Sequence, residues 1–237
     1  VMAVGMFIAA VSFASLWGAT HRKGPALWER TQVRFGFTIL VGGAVLSAVV
    51  ANAGGAPISP AVFDSVSAST TAGFNSGDGF RTFSATAAIA MVSMFIGGAA
   101  GSTAGGLKVA RVAWILKAAR RWLPQGGDPF DQPFRWDASD VEPTEAAKRV
   151  IGALSLGALW IGSIAIGTFL VAFTAKADLG DAMFEAVSAL SGVGLSSGVT
   201  GADLGAVPKL VLTMLMLVGR VEITAFIALA MQRTPTS

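Results

Sequence analysis

The chain has 237 residues, of which 53% are hydrophobic and 13% are charged, and its formal net charge is +3. A soluble domain usually carries about 25% charged residues, so this composition argues against one and indicates membrane spans joined by polar loops. The chain has no cysteine and one histidine, His21, which excludes disulfides and thiolate metal sites and leaves little for acid–base catalysis. We therefore expect a membrane protein that is not an enzyme and has no cofactor. Lys and Arg in cytoplasmic loops explain the positive charge without a nucleic-acid partner.

The first two apolar segments predict transmembrane helices. Residues 1–19 are apolar throughout and predict a span or the end of one, and residues 35–53 predict the next span. A basic loop from His21 to Arg34 separates them. Because the sequence starts at Val1, inside an apolar run, we expect it to begin partway into a longer protein.

A short apolar segment and an interrupted one follow. Residues 58–72 are too few to cross a bilayer, which takes ~20 residues, so they predict a re-entrant helix. Another apolar run begins near residue 83, breaks at 97–106 and resumes over 107–122. Residues 123–147 are polar and rich in proline, which predicts a solvent-exposed linker.

The second half repeats this pattern. Residues 150–175 predict a long span, residues 181–193 another re-entrant helix, and residues 207–231 the last span. One set of loops holds most of the cationic side chains and should therefore be cytoplasmic: Arg22, Lys23, Arg30, Arg34, those from Lys108 through Arg149, and Arg233.

The two re-entrant segments are copies of one another. Residues 63–77 and 184–198 align without a gap, and Phe, an acid, Val, Ser, Ala, Gly, Ser and Gly recur at matching places. Both copies have the same orientation, which predicts an all-α membrane protein built from units of span, pore helix, filter loop and span. The chain then divides into the end of a preceding helix with a cytoplasmic loop (1–34), a pore repeat (35–122), a cytoplasmic linker (123–147) and a second pore repeat (148–237).

The glycine-rich loop after each short helix is the candidate ion-binding filter. A helix that enters the membrane points its C-terminal end, with its partial negative charge, at a cation near the membrane centre. Backbone carbonyls of an extended loop replace the water around the ion, and glycine permits the backbone angles required. The alternative is a pair of ordinary turns. The candidate filter residues are Thr70, Thr71, Ala72, Gly73, Phe74, Ser191, Gly192, Val193, Gly194 and Leu195.

Two carboxylates occupy matching places in the pore helices. Asp64 and Glu185 either concentrate cations at the outer mouth or cap and anchor the pore helices. The sequence leaves both readings open.

The interruption at residues 97–106 also has three interpretations. Gly97, Gly101 and Gly105 have the spacing of a helix-packing motif, whereas a phosphate-binding loop fits poorly because the Walker pattern and a preceding strand are missing. Five glycines in ten residues disfavour a helix by about 1 kcal/mol each relative to alanine, so a helix broken at membrane depth is the third interpretation.

Arg220 lies near the middle of the last predicted span, where a cation needs a water-filled path or a partner.

Three segments resemble the TrkH/KtrB/HKT superfamily of potassium transporters: residues 69–75, residues 94–108 and residues 219–222. The resemblance implies four channel-like repeats around one pore, of which this chain would hold the third and fourth. The first two would lie upstream or come from a second chain. It implies potassium at Thr71, Gly73, Gly192 and Gly194, although Gly192 lacks the hydroxyl that Thr71 has.

The resemblance also implies a gate beneath the filter, in which Arg220 is an electrostatic barrier to cations. The other gate residues would be Gly97, Gly98, Gly101, Ser102, Thr103, Gly105 and Gly106. The implied function is potassium uptake across the cytoplasmic (inner) membrane by a multi-pass protein. The alternative is a secondary transporter of sodium or a small solute.

Partners are implied in the same way. The family resemblance predicts a homodimer governed by a cytosolic ring of nucleotide-binding subunits of the TrkA/KtrA type. The basic segment from Lys108 to Arg121 is a candidate docking face for that ring or a contact with anionic membrane lipid.

Overall fold

Helices make up most of the chain in the computed structural model. It describes residues 2–21, 30–76, 80, 84–125, 130, 133–137 and 139–221. This confirms the predicted all-α membrane fold, with one small two-stranded addition described below.

The first apolar segment is two helices rather than one. Helices α1 (Met2–Ala10) and α2 (Phe13–Thr20) meet at an angle of 100°. The segment predicted as a span, or the end of one, is therefore bent rather than a single straight helix. The break exposes backbone groups that residues far along the chain satisfy: the Phe13 N–H donates to the Gly101 carbonyl at 3.0 Å, and the Ala99 N–H donates to the Ala10 carbonyl at 3.0 Å.

The first repeat has the predicted order of elements. It consists of α3 (Thr31–Ala53), α4 (Ile58–Thr70), α5 (Ala85–Ile96) and α6 (Val109–Gln125). Between α5 and α6 the chain is not helical, as the run of glycines predicted. Ser84 caps the start of α5, since its hydroxyl accepts a hydrogen bond from the Ala87 N–H at 3.3 Å.

The described part of the linker between the repeats contains a small sheet. Strands β1 (Phe134–Trp136) and β2 (Ser139–Val141) form an antiparallel pair, which the sequence analysis did not predict. Aromatic stacking holds this hairpin against α6, since the rings of Trp114 and Trp136 are parallel with centroids 4.4 Å apart.

The second repeat matches the first. It consists of α7 (Pro143–Ala175), α8 (Leu179–Ser191) and α9 (Ala206–Val221). Helix α7 starts seven residues before the predicted span, because Pro143 occupies its first turn, where its missing N–H costs nothing. The predicted continuation of the last span to residue 231 lies outside the described residues, as do Gly77, Arg81, Glu222 and Arg233.

The short helices are buried and the long ones face outward. In the described part of the chain, α3 and α7 are long and apolar enough to cross a membrane, and α1 with α2 makes a third span if the bent pair is counted as one. Helix α7 exposes large apolar side chains such as Phe173, which is 87% exposed, whereas Phe184 of α8 is 1% exposed. Lipid-facing helices therefore surround the two pore helices.

Candidate ion-conduction site

Both pore helices end in the same left-handed turn. Thr71 and Gly192, at matching positions of the repeat, have φ of 55° and 64°. Their N–H groups donate to the carbonyls of Ala68 and Ala189 at 3.2 and 3.0 Å. The internal repeat is therefore a repeat of backbone conformation as well as of sequence.

The two candidate filter loops lie against each other. Gly73 has φ of +77°, and a Cβ built there would be 2.0 Å from the carbonyl oxygen of Val193. Only glycine allows this close approach, and glycine adopts this backbone angle without strain. Gly194, the counterpart of Gly73, has φ of +87°, but a Cβ there would meet no atom within 4 Å. At matching positions, therefore, Gly73 of the first loop contacts the second loop, whereas Gly194 of the second loop borders open space.

The remaining predicted filter residues differ between the two loops. Phe74 is 51% exposed, whereas its counterpart Leu195 is 2% exposed and Val193 is 6% exposed. Thr70 Oγ1 donates to the carbonyl of Val66 at 2.8 Å, inside its own helix. The repeat therefore preserves the glycines and the helix ends but not the side chains around them.

The paired carboxylates anchor the segment that follows each filter loop. Asp64 accepts hydrogen bonds from the N–H and the hydroxyl of Ser76 at 2.8 and 3.0 Å. Glu185 accepts from the N–H of Ser197, the exact counterpart of Ser76, at 3.0 Å and from the hydroxyl of Thr200 at 3.1 Å. Of the two open interpretations, the anchoring one describes this geometry.

Removal of the Glu185 carboxylate should destabilise the second filter. We expect Glu185→Ala to lower the free energy of unfolding by about 2–4 kcal/mol, because several donors would be left buried without an acceptor. Thermal unfolding of the purified protein in detergent measures this. Asp203→Ala is the matched control, since it removes an exposed carboxylate from the same region. Equal stability of the two variants would contradict the anchoring role.

The interruption between α5 and α6 is a closed loop. The N–H groups of Leu107 and Lys108 donate to the carbonyls of Phe95 and Ile96 at 2.9 Å each, so the loop ends where it began. We call residues 97–108 the intramembrane loop. Its glycines do not share a helix face, so the helix-packing interpretation is wrong.

The intramembrane loop touches both filter repeats. The N–H of Gly105 donates to Thr71 Oγ1 at 2.8 Å, at the end of the first pore helix. A Cβ at Gly105 would be 1.7 Å from the carbonyl oxygen of Ser191, at the end of the second pore helix. The Thr71 hydroxyl, expected as an ion ligand, thus accepts a hydrogen bond from the loop.

Arg220 reaches the same loop from α9. Its Nη1 donates to the Thr103 carbonyl at 3.4 Å, and it makes no ion pair with any residue that the structure describes. The preceding residue, Gly219, packs on the second pore helix, since a Cβ there would be 1.7 Å from the Leu190 carbonyl oxygen. A cavity of about 180 Å³ lies between the loop and α9, lined by Lys108, Arg111 and Arg220 among others.

The sequence analysis missed several residues that position the site. Gln32 of α3 accepts a hydrogen bond from the Ala100 N–H at 3.1 Å, and Thr103 donates to the Ala9 carbonyl at 3.0 Å, so two neighbouring helices hold the intramembrane loop. Ser76 and Ser197 were detectable as a matching pair in the repeat. Gln32 belongs to no motif or repeat, so nothing in the sequence indicated its contact with the loop.

Charged ligands do not gather at the site. Among the described residues, no three His, Asp or Glu side chains lie close enough to hold a metal ion. A cation bound at these loops would depend on the oxygens of backbone carbonyls and hydroxyls and on the helix ends.

Two buried short helices with glycine-rich ends, enclosed by apolar outer helices, are the arrangement of a membrane cation transport protein. The sequence profile of the TrkH family, described as "Cation transport protein", matches residues 34–236, and the chain belongs to this family.

Named relatives agree with this assignment. The chain is 34% identical to the Ktr system potassium uptake protein B of Vibrio alginolyticus over 163 residues, covering 68% of this chain and 33% of that protein. It is 32% identical to the Trk system potassium uptake protein TrkH of Escherichia coli K12 over 187 residues, covering 76% of this chain and 36% of that protein.

A solved structure matches over the whole chain. The crystal structure of the potassium transporter TrkH from Vibrio parahaemolyticus superposes with a TM-score of 0.78 and 25% identity, covering 99% of this chain and 51% of that one. The aligned part of this chain thus covers about a third of the length of these two curated relatives and about half of the length of the solved structure.

Proposed function

We propose that the protein takes up potassium across the cytoplasmic membrane through a filter formed partly by this chain. The observation that carries the proposal is the pair of matched pore helices whose glycine loops meet at Gly73 and Val193. The relatives' names, which state potassium uptake, support potassium as the transported ion. The ion would cross as cargo, and we propose no resident cofactor.

The binding chemistry follows from the backbone. The C-terminal ends of α4 and α8 converge on the loops, so their partial negative charges would favour a cation between them. Carbonyl oxygens near Thr71, Gly73, Gly192 and Gly194 would replace its water. Because two filter segments provide only part of a closed ring of ligands, the complete site would need two further segments.

We further propose that the intramembrane loop and Arg220 form the gate. The loop contacts the ends of both pore helices at Thr71 and Ser191, and these two contacts support a gate next to the filter. Arg220 brings a positive charge to that loop, and a fixed positive charge next to a cation path raises the energy of an ion passing it.

The proposal extends to the assembly of the whole protein. A homodimer in the inner membrane, governed by a cytosolic nucleotide-binding ring of the TrkA/KtrA type, is what the family resemblance supports. Co-purification of the complete protein with that ring, and its mass in detergent, would test these two expectations.

A glycine substitution at the filter tests the function. Gly194→Ala adds a methyl group that meets no neighbouring atom, so the added group and the strain at φ of +87° act on the filter alone. A left-handed alanine costs about 1–2 kcal/mol, so we expect the ratio of rubidium to sodium uptake to fall roughly tenfold. The measurement uses bacteria without their own potassium-uptake systems that express the complete protein.

The matched control is Gly201→Ala. Gly201 also lies in a loop with no atom within 4 Å of its Cβ position, but it has no positive φ. The control should behave as wild type, with equal amounts of each variant in the membrane. Unchanged selectivity in Gly194→Ala would overturn the filter assignment. Sodium uptake without rubidium uptake in the wild type would indicate a sodium transporter instead.

A further inference from the structure

A basic pocket lies between the linker hairpin and the ends of two helices, away from the filter. It has a volume of about 500 Å³. Its described lining is one threonine, one phenylalanine, one carboxylate and five cationic side chains: Thr31, Phe134, Asp137, Arg34, Lys117, Arg120, Arg121 and Arg135. Neither the filter nor the intramembrane loop uses any of these residues.

Several of the cations have no partner that would neutralise them. In the described part of the chain, the guanidinium groups of Arg34, Arg120 and Arg135 make no ion pair and no hydrogen bond, and all three side chains are exposed. Asp140 is opposite Arg135 in the hairpin register but forms no ion pair with it. The pocket therefore presents three guanidinium groups to its surroundings.

The carboxylate in the pocket is already engaged. Asp137 Oδ1 accepts a hydrogen bond from the Thr31 N–H at 2.6 Å, at the first residue of α3. An acidic group at a helix N-terminus is stabilised by the helix dipole. Among the described lining residues, this one carboxylate lies among five cationic side chains, of which Arg34, Arg120 and Arg135 are unpaired, so the described lining is net positive.

The walls of the pocket are fixed by packing. Lys117 lies over the Trp136 ring at 4.7 Å and donates to the Arg135 carbonyl at 3.2 Å. Arg121 lies over the Phe134 ring at 4.4 Å. These cation–aromatic contacts hold the hairpin against α6. A concave group of arginines on these walls is suited to a phosphate, which accepts paired hydrogen bonds from guanidinium groups.

The position of the pocket indicates where the phosphate would come from. Helix α3 starts at the pocket and is long and apolar enough to cross a membrane, so Arg34, in its first turn, would lie at the membrane boundary. On the same face of α3, Val41 is exposed two turns deeper, and on α6 Leu116 is exposed one turn deeper than Arg120. Cations at the boundary with exposed apolar side chains below them match a phospholipid, with headgroup outside and acyl chain inside.

We propose that this pocket binds a phosphate group, supplied by the headgroup of an anionic phospholipid in the cytoplasmic leaflet. The lipid would bridge α3, α6 and the linker hairpin, and so would join the first pore repeat to the connection that leads into the second. The arginines bind the phosphate, and the apolar side chains contact the chains of the lipid.

The test uses the complete protein, purified in detergent and titrated with dioctanoyl phosphatidylglycerol. The readout is the concentration that gives half of the maximal shift in the thermal unfolding midpoint. Arg120→Gln combined with Arg135→Gln should raise this concentration at least about tenfold, because two charge-assisted hydrogen bonds are lost. Both side chains are exposed and make no described contact, so the variant should fold with the midpoint of wild type before lipid is added.

Lys148→Gln is the matched control, since it removes one exposed cation from the same side of the protein but outside the pocket. It should titrate as wild type, and dioctanoyl phosphatidylcholine should bind far more weakly than phosphatidylglycerol. Equal titration of the pocket variant and wild type would overturn the proposal, as would equal weakening by Lys148→Gln. A second titration uses inorganic phosphate in place of the lipid. If inorganic phosphate binds wild type as tightly as phosphatidylglycerol does, and only the pocket variant loses this binding, the lipid source would be overturned and the pocket would be assigned to a soluble phosphate.

Discussion

Gly105→Ala should abolish rubidium uptake and lower the thermal stability of the protein. Its Cβ would lie 1.7 Å from the Ser191 carbonyl oxygen and 2.8 Å from the Ser191 carbonyl carbon. Both are backbone atoms, so no side-chain rotation relieves the overlap, and either the loop or the second pore helix must move. Overpacking of this kind costs about 1–3 kcal/mol or more. The shift would also break the Gly105 hydrogen bond to Thr71 Oγ1, so both filter loops would lose their support.

The measurement compares rubidium uptake and the unfolding midpoint of Gly105→Ala with those of Gly152→Ala. Gly152 lies within α7, where a Cβ meets no atom within 4 Å, so alanine there should be neutral or slightly stabilising. Wild-type uptake and stability in Gly105→Ala would contradict the close approach of the intramembrane loop to the pore helix.

Arg220→Ala should raise rubidium uptake under conditions in which the wild type is largely closed. A unit charge about 8 Å from an ion contributes roughly 2 kcal/mol at an effective dielectric constant of about 20. Because Arg220 is exposed in the described structure, solvent will screen part of this. We therefore expect an increase of between about threefold and thirtyfold.

Arg220→Lys separates charge from hydrogen bonding at this position. Lysine keeps the positive charge but cannot reproduce the planar guanidinium group that reaches the Thr103 carbonyl. If charge forms the barrier, Arg220→Lys should conduct nearly as little as wild type. An equal increase in the Ala and Lys variants would assign the effect to the contact with the loop instead.

Local pattern was sufficient for much of the fold. The gap-free repeat of residues 63–77 and 184–198 predicted two short buried helices with glycine ends, and both have the same caps at Thr71 and Gly192. The density of glycine in residues 97–106 predicted a broken helix. These features depend on backbone propensity and segment length, which are properties of neighbouring residues.

Hydrogen bonds between residues distant in the chain determined the features that local pattern did not predict. The bend between α1 and α2 has no Pro or Gly in its two-residue break, and its free backbone groups bond with Ala99 and Gly101, about ninety residues away. The role of Glu185 was ambiguous until its partners, Ser197 and Thr200, were known.

The sequence by itself therefore determined the membrane class and the paired pore helices, because composition, segment length and repeat are visible along one chain, and the resemblance of residues 69–75, 94–108 and 219–222 indicated the family. Only the tertiary structure decided that Gly105 lies between Thr71 and Ser191, and that Arg34, Arg120 and Arg135 surround one pocket. The physical reason is that a hydrogen bond, a backbone contact or a cluster of charges depends on which surfaces the packing of the helices brings together. Sequence spacing carries no record of that packing.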